Sequence, residues 1–188
     1  MHVFLETERL ILRRFTDADA DLLFELDSDL EVMRFVDGGK TTPRDLIQNT
    51  ILPRFLRYYD HDHKYGFWAV VEKSSGAFLG WFHFRPLADA GPDEVELGYR
   101  LRKDAWGQGY GTEGSRALIH RGFTEFGVQR VVASAAAGNI ASWRVMEKSG
   151  LTLVRAYRKV WPGKWDDEEQ EDVEYALTRA DWERQRTT

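Results

Sequence analysis

A bare glycine turn between a strand and a helix is the strongest constraint that this chain carries. Trp106-Gly107-Gln108-Gly109-Tyr110-Gly111-Thr112-Glu113 follows a strand-like run over residues 95–101 and opens a helix-like run that continues to about residue 126. Glycines at alternate positions strip side chains from the place where the chain enters the helix. The backbone N–H groups there can close around an anion, and the helix dipole favours negative charge at that end. The sequence therefore advertises a phosphate or pyrophosphate site in the middle of the chain.

The 188 residues are long enough for one domain with a sizeable core, so a single domain over residues 1–188 is expected. The formal net charge of -5 argues against non-specific binding to nucleic acid, which needs a positive surface. No cysteine is present, which removes disulfides, thiolate metal sites and any covalent cysteine nucleophile. The opening Met1-His2-Val3-Phe4-Leu5-Glu6 lacks a basic region followed by a long apolar run, so it reads as no signal peptide. No apolar stretch approaches the ~20 residues that span a bilayer. The expectation is a cytoplasmic protein with no membrane and no nucleic-acid partner. His61-x-His63 stands among Tyr59, Asp60 and Asp62 without a third ligand in view, so no metal is expected.

Hydrophobic periodicity divides the rest of the chain. Residues 9–15 read as a first strand, with Leu10 and Leu12 on one face and Ile11 on the other. Thr16-Asp17 is an N-cap signal, and Leu22, Leu23, Leu26 and Leu30 follow at helical spacing. Residues 37–40 form a turn. Thr42-Pro43 starts a second helix with Leu46, Ile47, Ile51, Phe55 and Tyr58 on its apolar side and Pro53 placed to kink or divide it. Residues 66–71 and 77–85 predict two strands joined by a hairpin at Ser74-Ser75-Gly76, and residues 89–92 a loop. Beyond the central helix, Gly127 is placed as its C-terminal cap. Residues 130–136 predict a strand, and residues 140–149 a short helix with Asn139 as cap and Gly150 as stop. Residues 151–160 and 173–177 predict the last two strands, separated by an acidic segment, residues 161–172. The fold class is α/β in the mixed sense: a mostly antiparallel sheet with one strand–helix–strand crossover at its centre.

Gly109-Tyr110-Gly111-Thr112-Glu113-Gly114 matches G-x-G-x-x-G, but a dinucleotide fold also wants an acidic residue about 20 residues on, at the end of the next strand. That strand ends Ser134-Ala135-Ala136-Ala137, with nothing acidic. A nucleotide-hydrolysing loop would need Gly-Lys-Ser/Thr, and no lysine follows these glycines. The alternative to a ligand site is that the glycines only allow close strand-to-helix packing.

Three stretches together resemble a known family: Val95-Glu96-Leu97-Gly98-Tyr99-Arg100-Leu101, the glycine turn, and Asn139-Ile140-Ala141-Ser142-Trp143-Arg144-Val145-Met146-Glu147-Lys148-Ser149-Gly150-Leu151. They look like the GNAT superfamily of N-acetyltransferases, and more narrowly the branch of the ribosomal-protein N-terminal acetyltransferases. The opening Leu5-Glu6-Thr7-Glu8-Arg9-Leu10-Ile11-Leu12-Arg13 is similar to the start of that branch. Where the wider family has Gln or Arg at the head of the turn, this chain has Trp106, as that branch does.

The resemblance implies a GNAT fold with splayed central strands, acetyl-CoA or another short acyl-CoA as donor and a primary amine as acceptor, either a protein N-terminus or a small amine such as an antibiotic or amino acid. It implies that amides of Gly107, Gln108, Gly109, Tyr110, Gly111 and Thr112 hold the pyrophosphate, with the Thr112 hydroxyl in reach and Trp106 among the cofactor-binding residues. The pantetheine would lie between the splayed strands, and a backbone N–H near Leu101 would polarise the carbonyl. Homodimer formation follows by analogy only.

Direct attack on a thioester needs a base, an oxyanion donor and a proton for the thiolate. Glu96 is the first choice of base, grouped by strand alternation with Gly98 and Arg100, against an exposed strand carboxylate. Glu113, in a first helical turn, already has a dipole explanation. Asn139 can cap its helix and meet the cofactor, and Ser142 can donate to the sulfur or pantetheine. Tyr157 is a candidate general acid or a core tyrosine. Arg144 and Lys148 can reach the nucleotide phosphates or stay solvated. Trp68, Trp81 and Phe84 fill the core or line the acceptor cleft. The acidic residues 166–172 are a solvated run or attract a cationic acceptor. A CoA-binding module without catalysis is the rival from another class, and a dinucleotide-dependent oxidoreductase the second.

Overall fold

The computed structural model describes residues 2–36, 39–61, 63–87, 91, 93–159 and 170–187. The turn at residues 37–40, the loop at 89–92 and most of the acidic segment at 161–172 fall wholly or partly outside them. Eight strands make one sheet: β1 Val3–Glu6, β2 Leu10–Arg14, β3 Gly66–Glu72, β4 Phe78–Pro86, β5 Glu94–Leu101, β6 Arg130–Ala136, β7 Thr152–Lys159 and β8 Gln170–Thr178. Their spatial order is β1-β2-β3-β4-β5-β6-β8-β7. Every neighbouring pair is antiparallel except β5 with β6. That parallel pair is joined by α5, Tyr110–Arg121, which continues as a π-helical segment to Phe126 and stops at Gly127 in the left-handed region.

Helices cover both faces, so β3 and β4 are apolar on both sides, which explains their near-continuous hydrophobic sequence. On one face Leu10, Leu12, Trp68, Phe82, Phe84 and Leu97 meet Leu118, Ile119 and Phe123 of the central helix. On the other, Phe67, Ala69 and Trp81 meet Leu23 and Leu26 of α1 (Ala20–Ser28) and Val32 of α2 (Leu30–Met33). Ile47 and Phe55 close that layer from the long second helix. This helix runs as α3, Arg44–Leu46, a π-helical turn Ile47–Ile51, and α4, Leu52–His61. Leu52 N–H bonds back to the Ile47 carbonyl just before Pro53. The wider turn absorbs the proline, which has no N–H to give, so the helix is interrupted but not broken.

Four expectations need correction. A strand precedes the first expected one: residues 3–6 form β1, whose four residues were too short to show a period. A last helix, α7 Arg179–Thr187, follows β8; it buries no residue fully, so apolar spacing could not reveal it. Its start signal was present, since the Thr178 hydroxyl accepts from Asp181 N–H at 3.1 Å and donates to its carboxylate. Leu30 is exposed, because Asp29 caps a new helix there and rotates the chain. Leu46 is exposed as well.

The N-terminal hairpin is clamped to the start of α5. Glu113 accepts from the Thr7 hydroxyl at 2.6 Å, from Arg9 N–H at 2.9 Å and from Arg9 Nε at 2.7 Å. Burial alone would raise the Glu113 pKa, but these hydrogen bonds outweigh it and hold the carboxyl below its usual range. A depressed carboxylate stabilises the fold above its unfolded pKa and loses that contribution as pH falls through the folded value. Glu113→Gln is therefore expected to destabilise the protein by ~1–2 kcal/mol at pH 7. Urea unfolding should show the deficit shrinking below pH 4.5, the ordinary value for this group; an equal deficit at pH 7 and in acid would remove the clamp's charge from the account.

Candidate active site

The glycine turn is a helix N-terminus stripped of side chains. Gly107 and Gly109 hold φ of 73° and 83°, a region that disfavours any residue with a Cβ. Both are exposed, and Gly109 is the N-cap of α5. The helical ladder starts with Glu113 N–H on the Gly109 carbonyl at 3.0 Å, so the amides of Tyr110, Gly111 and Thr112 lie ahead of it. Packing explains other glycines of the run: a Cβ on Gly114 would stand 2.5 Å from the Phe82 ring. Thus the ligand and packing readings divide between neighbouring glycines.

Trp106 turns away from solvent on one edge, its indole N–H donating to the Leu101 carbonyl at 2.8 Å. Gln108 caps the Asp104 carbonyl at 2.7 Å. Arg9 braces the turn, with one guanidinium N–H on the Gln108 carbonyl at 3.0 Å and its plane over the Tyr110 ring at 4.5 Å. Neither Thr7 nor Arg9 was singled out from sequence; the signal was the polar pair set between two hydrophobic runs.

Beside the turn the sheet opens. β5 and β6 pair only at Glu94 with Arg130, Val95 with Val131 and Glu96 with Val132. From Leu97 to Leu101, and from Ala133 to Ala136, the facing edges carry no mutual pairing, while the outer edges stay paired to β4 and β8. The expected splay is present. α6, Ile140–Lys148, stands next to it, with Asn139 as N-cap accepting from Ser142 N–H at 3.2 Å. Tyr99 of β5 donates to the Ser142 carbonyl at 2.8 Å, with its oxygen 3.1 Å from Ser142 Oγ. This bridge crosses from β5 to α6 over the gap. Burial holds the Tyr99 pKa well above the usual phenol value, so its proton stays on the oxygen. Tyr99 was not picked from sequence, since only the opposite face of β5 was weighed.

On that opposite face lies a cleft of about 250 Å³. Trp81, His83 and Arg85 of β4 and Arg100 of β5 floor it, and Asp27 and Arg54 reach it from the helices. Glu96 is held by Arg85, and its carboxylate lies 3.5 Å from His83 Nε2. The His83 ring lies across Gly98, where a Cβ would stand 2.4 Å from it, so the bare position on β5 makes room for the imidazole. Both ring nitrogens are buried without a hydrogen-bond partner at normal distance. Gly98 is also the strand position next to the start of the gap, so His83 stands on the cleft side of the place where the gap begins.

The remaining expected residues are spread more widely. Thr112 is half-buried on the first turn of α5, and Arg144 is exposed on α6, 5.9 Å from the Trp143 ring. Tyr157 sits on β7, two strands beyond β6, under the Arg155 guanidinium at 5.0 Å. Trp68 and Phe84 are core, while Trp81 borders the cleft. The side chain of His61 lies outside the described residues, and among those no group of three His, Asp or Glu side chains could hold a metal. Among them too, no helix is long and apolar enough to cross a membrane.

Residues 9–152 match the acetyltransferase (GNAT) domain. The FsC-acetyl coenzyme A-N(2)-transacetylase of Aspergillus fumigatus is 31% identical over 186 residues, covering 95% of this chain and 77% of the relative. A GNAT-family acetyltransferase structure from Bacillus anthracis superposes with a TM-score of 0.78 at 23% identity, over 96% of this chain and 99% of that one. The ribosomal L7/L12 α-N-protein acetyltransferase RimL, solved with coenzyme A, also reaches 0.78, at 16% identity over 94% and 98%.

Burial lowers the His83 pKa, the nearby Glu96 opposes that shift, and Arg85 and Arg54 add to it. The imidazole is expected to stay neutral at pH 7 and to protonate below 6.5, its ordinary value. Because the unfolded chain takes up a proton that the folded site resists, the stability of the fold is expected to fall as pH drops below that value. NMR titration of the histidine ring nitrogens, assigned with His83→Asn, checks this; a midpoint at or above 6.5 would contradict the burial account.

Proposed function

Because this chain belongs to the acetyltransferase (GNAT) family, we propose that it transfers an acetyl group from acetyl-CoA to a primary amine by direct attack in a ternary complex. One observation carries the proposal: the stripped turn and the open gap spring from the same strand, and the cleft on the other side is floored by Arg100 of that strand and by its β4 neighbours. The diphosphate would rest on the amides from Gly107 to Thr112, and the pantetheine would lie along the open edges of β5 and β6 as an added strand. Asn139 and Arg144 face the donor from α6, and the Leu101 region supplies the amide for the carbonyl oxygen.

The amine nitrogen attacks the thioester carbon and the carbon–sulfur bond breaks. The nitrogen loses a proton toward the cleft, where Glu96 is the base and the neutral His83 beside it lies closer to the acceptor. The thiolate gains a proton on the far face. Ser142 is better placed near the sulfur than Tyr157, because α6 stands beside the gap whereas β7 lies two strands beyond β6. The acceptor nitrogen named for the Aspergillus relative supports an amine, without fixing which one.

The test is thiol release from acetyl-CoA across a broad amine panel, beside calorimetric binding of CoA. Gly109→Trp should abolish CoA binding by filling the turn; unaltered affinity would refute the site. Glu96→Gln should lower turnover ~100-fold, within the range for a general base, while donor affinity holds. Normal turnover across pH would take Glu96 out of the mechanism. Tight CoA binding with no thiol release for any amine would favour a silent CoA-binding module.

A further inference from the structure

The cleft on the α1–α4 face carries an uncompensated positive charge. Arg54, Arg85 and Arg100 line it against a single lining carboxylate, Asp27. Arg100 is bound to Asp27, which is buried and also accepts from the Thr42 hydroxyl at 3.1 Å. Arg85 is bound to Glu96. Those pairs cancel. Arg54 differs: among the described residues no carboxylate stands within ion-pair distance of it, and its guanidinium is 6.0 Å from both the Phe55 and the Phe67 ring. Its charge is felt at the cleft floor, where it opposes protonation of His83.

Three arginines against two carboxylates, Asp27 and Glu96, leave the cleft near +1 with His83 neutral. Such a site disfavours a bare ammonium ion and lowers the pKa of any amine held in it. That helps attack, which needs the neutral amine, but it supplies no attraction for a purely cationic acceptor. A carboxylate on the acceptor would answer Arg54, whose planar fork suits that group. The aromatic rings of Phe67, Trp81 and Tyr58 supply walls for an apolar body. At about 250 Å³ the cleft falls below the usual ~300–1,000 Å³ of drug-sized sites, so the acceptor is small.

We propose that the acceptor is a small amine bearing a free carboxylate, of amino-acid size, and that Arg54 recognises the carboxylate while the amine lies against His83 on the cleft floor. The proposal rests on the acetyl-transfer reading above and narrows its acceptor. It also runs against a polyamine or an unadorned cationic amine as substrate.

The experiment compares each amino acid of a panel with its carboxamide and with the amine that lacks the group altogether. Wild-type kcat/KM should favour the carboxylate member. Arg54→Gln should lower kcat/KM about tenfold or more for that member, mainly through KM, and change the carboxamide by no more than about twofold. Arg54→Lys should restore part of the difference. Equal use of acid and amide by the wild type, or an equal loss for both in Arg54→Gln, overturns the proposal. Should no amine release thiol, calorimetry on the CoA-loaded protein still decides it. N-acetyl amino acids should bind the wild type more tightly than their amides and lose that margin in Arg54→Gln. Absence of the margin sinks the proposal, while its presence without turnover sinks only the catalytic reading.

Discussion

The fold depends on two neighbouring strands that stop pairing with each other. β5 gives its outer edge to β4 from Val95 to Leu101, and β6 gives its outer edge to β8 along its whole length. Between them only the first positions meet. The inner edges then carry backbone donors and acceptors that need a partner, because buried peptide groups are costly to leave unpaired. An extended, amide-bearing ligand satisfies that need as a strand would. The rest of the site follows from this opening. The central helix starts where β5 ends, so its amide-rich tip faces the gap mouth. The Tyr99–Ser142 bridge spans the opening on one face. On the other face the His83 ring lies across Gly98, between β5 and the cleft.

The two faces of β5 therefore divide the labour by chemistry. Toward α5 and α6 the strand presents Leu97, Tyr99 and Leu101, and recognition there is by backbone and by one bridge of hydroxyls. Toward α1 and α4 it presents Glu96, Gly98 and Arg100, and most polar groups of the cleft there are ions. Main-chain recognition suits a donor whose amides and phosphates do not vary. Side-chain ions suit an acceptor that must be chosen.

That division also decides how much could be read from the sequence. A backbone cradle needs glycines at fixed offsets and a strand and helix on either side, so residues 95–126 and the crossover to β6 were legible, as was the Asn139 cap. The clamp of Thr7 and Arg9 onto Glu113 joins residues over a hundred positions apart, and no local period reports such a contact. Glu113 had a sufficient local explanation in the helix dipole, which hid its distant partners. The cleft was legible only at Glu96 and Trp81, for a similar reason. His83 reads as one more residue in an apolar strand, and only the register of β4 on β5 sets it over Gly98 and beside Glu96. Arg54 sits on a helix face that sequence marks merely as polar. α7 escaped because a single tryptophan, Trp182, packed against Phe123 and His120, replaces a stripe.

The same clamp bears on how strongly the turn can hold an anion. A glycine turn is free to take many shapes, and fixing one on binding would subtract backbone entropy from the affinity. Here the shape is fixed beforehand. Arg9 holds the Gln108 carbonyl and lies over Tyr110, Tyr110 is bound through its hydroxyl to Glu72 of β3, and Glu113 ties the next turn back to Thr7 and Arg9. The β1–β2 turn and the end of β3 thus brace the loop. The guanidinium that does the bracing is also a positive charge beside the anion site, partly neutralised by Glu113. An uncompensated cation there would attract any phosphate. A cation already paired to a carboxylate would leave anion recognition to oriented amides, whose geometry selects by shape as well as by charge.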